Sequence, residues 1–305
     1  MNTSHTAFDL LQRVTRVGFI AATAFWILGQ VAATAAEPNP LKAPANGSIP
    51  VAFLISEGAV VIDFCGPWEV FQDATVPGHD DPFRLYTVSD SISPIRTSGG
   101  MQIVPDYNLT NAPAPKIVVI PAQHKPTPAM LEWIRKSTKD TDVTMSVCTG
   151  AFVLAKTGLL SGKSATTYHG AFKSFAAEFP DVHLKRGARF VEEGNLATAG
   201  GLSSGIDLAL RVVERYFGRE VAQKTAYNME YQGQGWMNAD SNQVYATAPV
   251  STADHPLCAV CGMDVDPKSA PKSVFKGKTY YFCSDPDKKT FDAAPDKFLA
   301  ADNKL

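Results

Sequence analysis

V-T-M-S-V-C-T-G-A-F-V-L-A-K, residues 143–156, decides the fold. Its first five residues form a short β-rich run, and from Gly150 onward it carries a helical pattern, with only two residues between. A strand that turns directly into a helix is the unit of a parallel sheet covered by helices. Cys148 sits on that turn, where the first N–H groups of the helix and its dipole favour a thiolate, the nucleophilic form. The neighbouring Thr149 N–H offers itself to an oxyanion. The same position also suits a small core thiol, the commonest fate of a free cysteine.

The alternation continues outward on both sides. V-A-F-L-I (51–55) and K-I-V-V-I (116–120) read as strands buried on both faces. F-R-L-Y-T-V and M-Q-I-V flank a turn-rich segment between them. Residues 128–139 predict a helix with Met130, Leu131 and Ile134 on one face, and 205–217 give the clearest amphipathic helix, stopped by Gly218. Gly66-Pro67 reads as a helix start ahead of W-E-V-F. The fold class is α/β: a parallel sheet sandwiched by helices, followed by a small cysteine-containing module.

A length of 305 residues holds one medium domain and such a module, and 45% hydrophobic against 19% charged residues fits a packed core. Lys+Arg 28 against Asp+Glu 30 lacks the basic balance of a nucleic-acid binder. Five cysteines are too few for a disulfide scaffold. Arg13 and Arg16 precede an uncharged run and then A-A-T-A-A-E, which predicts a signal peptide over 1–36 and a periplasmic or secreted protein. An uncleaved membrane anchor is the other reading of the same run. No later stretch is apolar enough to span. Residues 37–48 read as a linker, 49–237 as the first domain, 238–254 as a second linker and 255–300 as the module.

Three stretches carry a resemblance: S-V-C-T-G-A-F-V-L-A-K-T-G-L-L-S-G-K-S-A-T-T (146–167), V-I-D-F-C-G-P-W-E-V-F (61–71) and G-G-L-S-S-G-I-D-L-A-L (200–210). Together they resemble the ThiJ/PfpI superfamily, class I glutamine-amidotransferase-like, over about residues 50–235. Within it they are most similar to isonitrile hydratases and to the ligand-binding half of AraC-type regulators. The resemblance implies a flavodoxin-like sandwich, a homodimer, and no cofactor in this domain. It makes Cys148 the nucleophile, Thr149 the oxyanion position and Asp63 the acid facing the thiol. An ionised acid there raises the thiol pKa, whereas a protonated one stabilises the thiolate. Asp63 is also suited to move protons for water addition, or it is only a helix-start residue. The family's P-G-G loop is Pro121-Ala122-Gln123 here, so Ala122 keeps the pocket N–H and Gln123 adds a polar side chain. Its A-T-T-H-W is A-T-T-Y-H here, which puts Tyr168 at the expected histidine and His169 one step on. Gly201 completes the pocket set. Cys65, where hydratases carry threonine, reads as core or as a disulfide partner of Cys148.

H-P-L-C-A-V-C-G-M-D-V-D, G-K-T-Y-Y-F-C-S and F-D-A-A-P-D-K-F, from His255 to Phe298, resemble the YHS domain of metal-trafficking proteins. Cys258-x-x-Cys261 is a turn that brings two thiolates to one ion, and Cys283 follows a β-rich run that returns to it. Asp287 stands where the family has a further cysteine, and His255 lies close in sequence. Soft donors, with Met263 nearby, suit a Cu or Zn ion. The alternative is a disulfide from Cys258 or Cys261 to Cys283. The sequence thus leads to an exported cysteine-dependent hydratase or hydrolase of isonitrile hydratase type, with an appended metal-binding module. It would act on a small electrophilic substrate, without nucleic acid and without a membrane span after signal cleavage. The alternative is a non-catalytic periplasmic binder of a small ligand, or a metal or redox-stress protein.

Overall fold

Five of the six residues of Ile49–Leu54 (β1) are buried, as a run without polar alternation requires. The computed structural model describes residues 39–45 and 47–302, so the signal region read over 1–36 lies outside the described residues. The other strands of the main sheet are Phe83–Ser89 (β2), Tyr107–Asn108 (β3), Ile117–Ile120 (β4), Val143–Val147 (β5), Phe190–Glu193 (β6) and Leu196–Ala199 (β7). They lie in the order β6-β7-β5-β4-β1-β2-β3, with every neighbouring pair parallel except β6 and β7.

Side chains alternate across this sheet. Val51, Phe53, Val119, Met145 and Val147 join one core cluster with α1 (Val61–Asp73), α5 (Ser204–Phe217) and α6 (Arg219–Asn228). Ala52, Leu54, Val118 and Ile120 join the other, with α2 (Pro128–Ser137), α3 (Gly150–Lys156) and α4 (Phe172–Glu178). The sandwich read from the sequence is therefore the one observed. Gly218 ends α5 with φ 87°, and Thr127 caps α2 by accepting the Met130 N–H at 3.2 Å.

Helix α1 begins at Val61, not at Gly66-Pro67, and carries Pro67 in its interior. An interior proline removes one helix hydrogen bond, and contact with α5 offsets that loss. A Cβ on Gly66 would lie 2.9 Å from Ile206 Cγ1, and one on Gly205 would lie 3.3 Å from Pro67 Cγ. The Gly-Pro pair marks a close helix crossing. The earlier start places Asp63 in the first turn of α1.

The register sets where the loops emerge. Ile120 pairs with Ser146 and Ala199 with Val147, so the carboxyl ends of β4, β5 and β7 lie side by side. Open α/β sheets bind ligands at such strand ends. The small module is a hairpin, Lys272–Phe275 (β8) and Lys278–Tyr281 (β9), followed by α7 (Asp285–Ala293) and α8 (Pro295–Asp302). Its core contains Cys258, Val260, Phe282, Phe291 and Phe298, and Ala177 of α4 joins it.

Gly150 is where α3 leaves the sheet. A Cβ there would lie 2.2 Å from the Ile120 carbonyl oxygen and 2.8 Å from that of Pro121, both backbone atoms that cannot move aside. Gly150→Ala should therefore lower stability by about 3 kcal/mol, read from the urea midpoint. An unchanged midpoint would contradict this packing.

Candidate active site and candidate metal centre

Cys148 has φ 57°, a left-handed conformation that non-glycine residues rarely adopt. Bonds on both sides hold it there. Its N–H donates to the Gly200 carbonyl at 2.8 Å, and its own carbonyl accepts the Thr167 hydroxyl at 2.9 Å. Three groups meet the sulfur: the Asp63 carboxyl and the backbone N–H groups of Thr149 and Leu202. Asp63 is fully buried; its Oδ2 accepts the Ala122 N–H at 3.1 Å, and its Oδ1 has no hydrogen bond of ordinary geometry.

Desolvation decides the protonation of this pair. Burial, reinforced by the Asp63 charge, pushes the Cys148 thiol up to about 12 against the two N–H groups. Burial likewise pushes Asp63 up to about 6, against the Ala122 N–H and the thiol. The resting thiolate expected at a helix N-terminus is thus not what the structure favours, because only 7% of Cys148 is exposed. Between about pH 6 and 12 the pair is a thiol beside a carboxylate.

The other residues singled out in the sequence divide. Thr149 meets the thiol as expected, but the Ala122 N–H is taken by Asp63, and Leu202 supplies the second N–H at the sulfur. Leu202 was missed because its role comes from a φ of 49°, which a leucine does not announce. The Gly200-Gly201 pair before it was the available signal. Gln123 does not project freely: its Nε2 donates to the Leu54 carbonyl at 3.1 Å and its Oε1 accepts the Ser56 hydroxyl at 2.7 Å. Tyr168 packs flush on Gly201, where a Cβ would lie 2.6 Å from its ring. His169 is exposed and stacks on Tyr245, with centroids 4.1 Å apart and planes at 4°. Among the described residues it makes no hydrogen bond to Cys148. Cys65 is a free, half-buried thiol raised by burial and by Glu69.

In the small module, one donor atom from each of Cys258, Cys261, Cys283 and Asp287 lies within 4.8 Å of the others. The Cys261 and Cys283 sulfurs are 3.6 Å apart, and Asp287 Oδ2 is 3.4 Å from Cys258 Sγ and 3.2 Å from Cys283 Sγ. A tetrahedral ion with bonds of about 2.3 Å needs sulfurs about 3.8 Å apart, so this set fits one ion. Ser284 caps α7 by accepting the Asp287 N–H at 3.3 Å, which fixes the backbone that carries this carboxylate. The Cys258 thiol is held below its usual range, chiefly by the Cys261 thiol and then by backbone N–H groups of Cys261, Cys283 and Val260. Burial, then Asp287, raises Cys283 to about 11. His255 stays outside the cluster, its Nδ1 3.1 Å from Asp264.

Comparison with known proteins agrees with both halves. The family model described as the DJ-1/PfpI family matches residues 50–215, and that of the YHS domain matches 259–302. The chain is similar to an isonitrile hydratase of Pseudomonas putida, 30% identical over 189 residues that make up 60% of this chain and 79% of that one. It is also similar to the HTH-type transcriptional regulator CdhR of Pseudomonas aeruginosa, 28% identical over 56% of this chain and 51% of the regulator. The chain thus spans about half the length of that regulator. Among solved structures, a ThiJ/PfpI family protein from Pseudomonas syringae superimposes with TM-score 0.55 at 24% identity, over 63% of this chain and 79% of that chain. Drosophila melanogaster DJ-1beta does so with TM-score 0.53 at 21% identity, over 61% and 100%. At these identities the structures show the fold alone.

The buried Asp63 makes stability depend on pH. Its pKa rises from an ordinary 3.8 to about 6 on folding, so its contribution is fully present below pH 3.8 and is lost as pH rises through 6. Two units correspond to about 3 kcal/mol. Asp63→Asn removes that loss, so it should gain up to this amount over the wild type between pH 4 and pH 7. Parallel urea midpoints at both pH values would contradict the burial of a carboxylate.

Proposed function

The chain belongs to the DJ-1/PfpI family and carries a YHS domain, and from that premise we propose an exported, cysteine-dependent hydratase that acts on a small isonitrile. The observation that carries the proposal is the meeting of the Cys148 thiol, on the turn from β5 to α3, with the buried Asp63 carboxyl from the first turn of α1. Similarity to the Pseudomonas putida isonitrile hydratase supports the substrate class.

Above about pH 6, Asp63 is a base beside the thiol. As sulfur bonds to the isonitrile carbon, the thiol proton passes through Asp63 to that carbon and a thioimidate forms. Water then adds across its C=N bond, hydroxyl to carbon and proton to nitrogen. Cleavage of the C–S bond releases an N-substituted formamide and returns the proton to sulfur. Water is the sole co-reactant. The Thr149 and Leu202 N–H groups hold charge on the sulfur while its proton is in transit.

The appended module would hold one Zn(II) or Cu(I) ion through Cys258, Cys261, Cys283 and Asp287. A bound ion there would supply a structural staple to a small core. The rival reading, a non-catalytic binder, draws support from the raised thiol pKa and from the stacking of His169 on Tyr245.

Formamide release from a panel of alkyl isonitriles tests the enzyme reading. Cys148→Ala should abolish turnover, Asp63→Asn should cost about 100-fold or more, and kcat/KM should rise tenfold per pH unit up to about 6 and then level. Turnover that survives in Cys148→Ala would sink the mechanism, and its absence in the wild type would leave the binder. For the module, about one zinc per chain should survive dialysis, and Cys283→Ala should lose it while Cys148→Ala keeps it. No zinc until a reductant is added would favour the disulfide.

A further inference from the structure

Among the described residues, Arg186 is a half-buried cation without a counter-anion. Its Nε donates to the Ala246 carbonyl at 3.0 Å, and its guanidinium lies 4.8 Å from the centroid of the Phe172 ring. These two contacts fix the plane of the group and use its side edge. Among the described residues nothing hydrogen-bonds Nη1 or Nη2, and no carboxylate pairs with it. By contrast, Arg189 pairs with Asp207, Arg211 and Arg215 with Glu192, and Arg219 with Glu214. Burial with no acid beside it also lowers the pKa of Arg186.

Arg186 lies in the wall of a cleft of about 1030 Å³ between the first domain and the cysteine module. Tyr168, His169, Tyr245, Tyr280 and Tyr281 also line it. His169 and Tyr245 stack ring over ring, 4.1 Å apart, as part of this wall. Neither Cys148 nor Asp63 is part of this wall. The acid that is, Asp264, already pairs with His255.

We propose that this cleft binds an aromatic carboxylate, with the carboxylate end-on to Nη1 and Nη2 of Arg186 and the ring among the tyrosines and His169. A planar two-oxygen acceptor matches a planar two-donor fork, and the aromatic wall adds a ring contact that inorganic phosphate cannot make. Aromatic walls with a few polar groups among them are the usual make-up of a small-molecule site, and Lys173 and Lys278 also line this one. The site is independent of the chemistry at Cys148.

Equilibrium dialysis of 2-naphthoate against the full-length protein tests this. One saturable site is expected, with 2-naphthamide and inorganic phosphate binding at least tenfold more weakly. Arg186→Gln should weaken 2-naphthoate at least tenfold. Arg186→Lys, which keeps the charge but lacks the fork, should weaken it several-fold. Cys148→Ala should bind as the wild type does. In the unmodified protein, saturating 2-naphthoate should slow diethyl pyrocarbonate modification of His169 and leave the exposed His183 unaffected. The proposal fails if 2-naphthoate does not bind, if the amide or phosphate binds equally, if both Arg186 variants match the wild type, if Cys148→Ala loses binding, or if His169 is not protected.

Discussion

A carboxyl group buried between a backbone N–H and a thiol is the constraint around which the first domain is arranged. Asp63 accepts the Ala122 N–H at one oxygen, and its carboxyl meets the Cys148 thiol. Taking a carboxylate out of water is costly, and one hydrogen bond does not cancel that cost. The protein holds the acid there through a parallel sheet whose strand ends are in register and a helix that begins before its own proline. The strained Cys148 backbone belongs to the same arrangement, since a relaxed φ would carry the sulfur away from the acid.

The two cysteine sites of the chain illustrate opposite outcomes of one balance. At Cys148, desolvation and a neighbouring acid outweigh two N–H groups, and the thiol keeps its proton. At Cys258, a second thiol and three backbone N–H groups outweigh desolvation, and the proton is released more easily. The first arrangement suits a nucleophile that gives up its proton only as it reacts. The second suits a metal ligand, which must be deprotonated before it binds.

Much of this was legible in the residues. Apolar runs such as 51–55 fixed strands covered on both faces, and the direct passage from Val147 to Gly150 located the cysteine turn. Cys258-x-x-Cys261 with Cys283 and Asp287 named the four donors that the fold brings together. What was not legible depends on close approach. Gly66-Pro67 looks like a helix start because a proline inside a helix is disfavoured, and only contact with Ile206 and Gly205 explains its place. The role of Leu202 follows from a backbone angle, and the engagement of Ala122 with Asp63 follows from strand register. His169 turned to Tyr245 because a segment distant in sequence lies beside it.

The central claim is that Asp63 and Cys148 share a buried site in which the carboxyl titrates late. Carbon-13 NMR of aspartate-labelled protein measures this directly, with the Asp63 resonance assigned by its loss in Asp63→Asn. A carboxyl shift with its midpoint near pH 6, altered in Cys148→Ala, is the result this account predicts. A midpoint at the ordinary 3.8, unmoved when Cys148 is replaced, would contradict it.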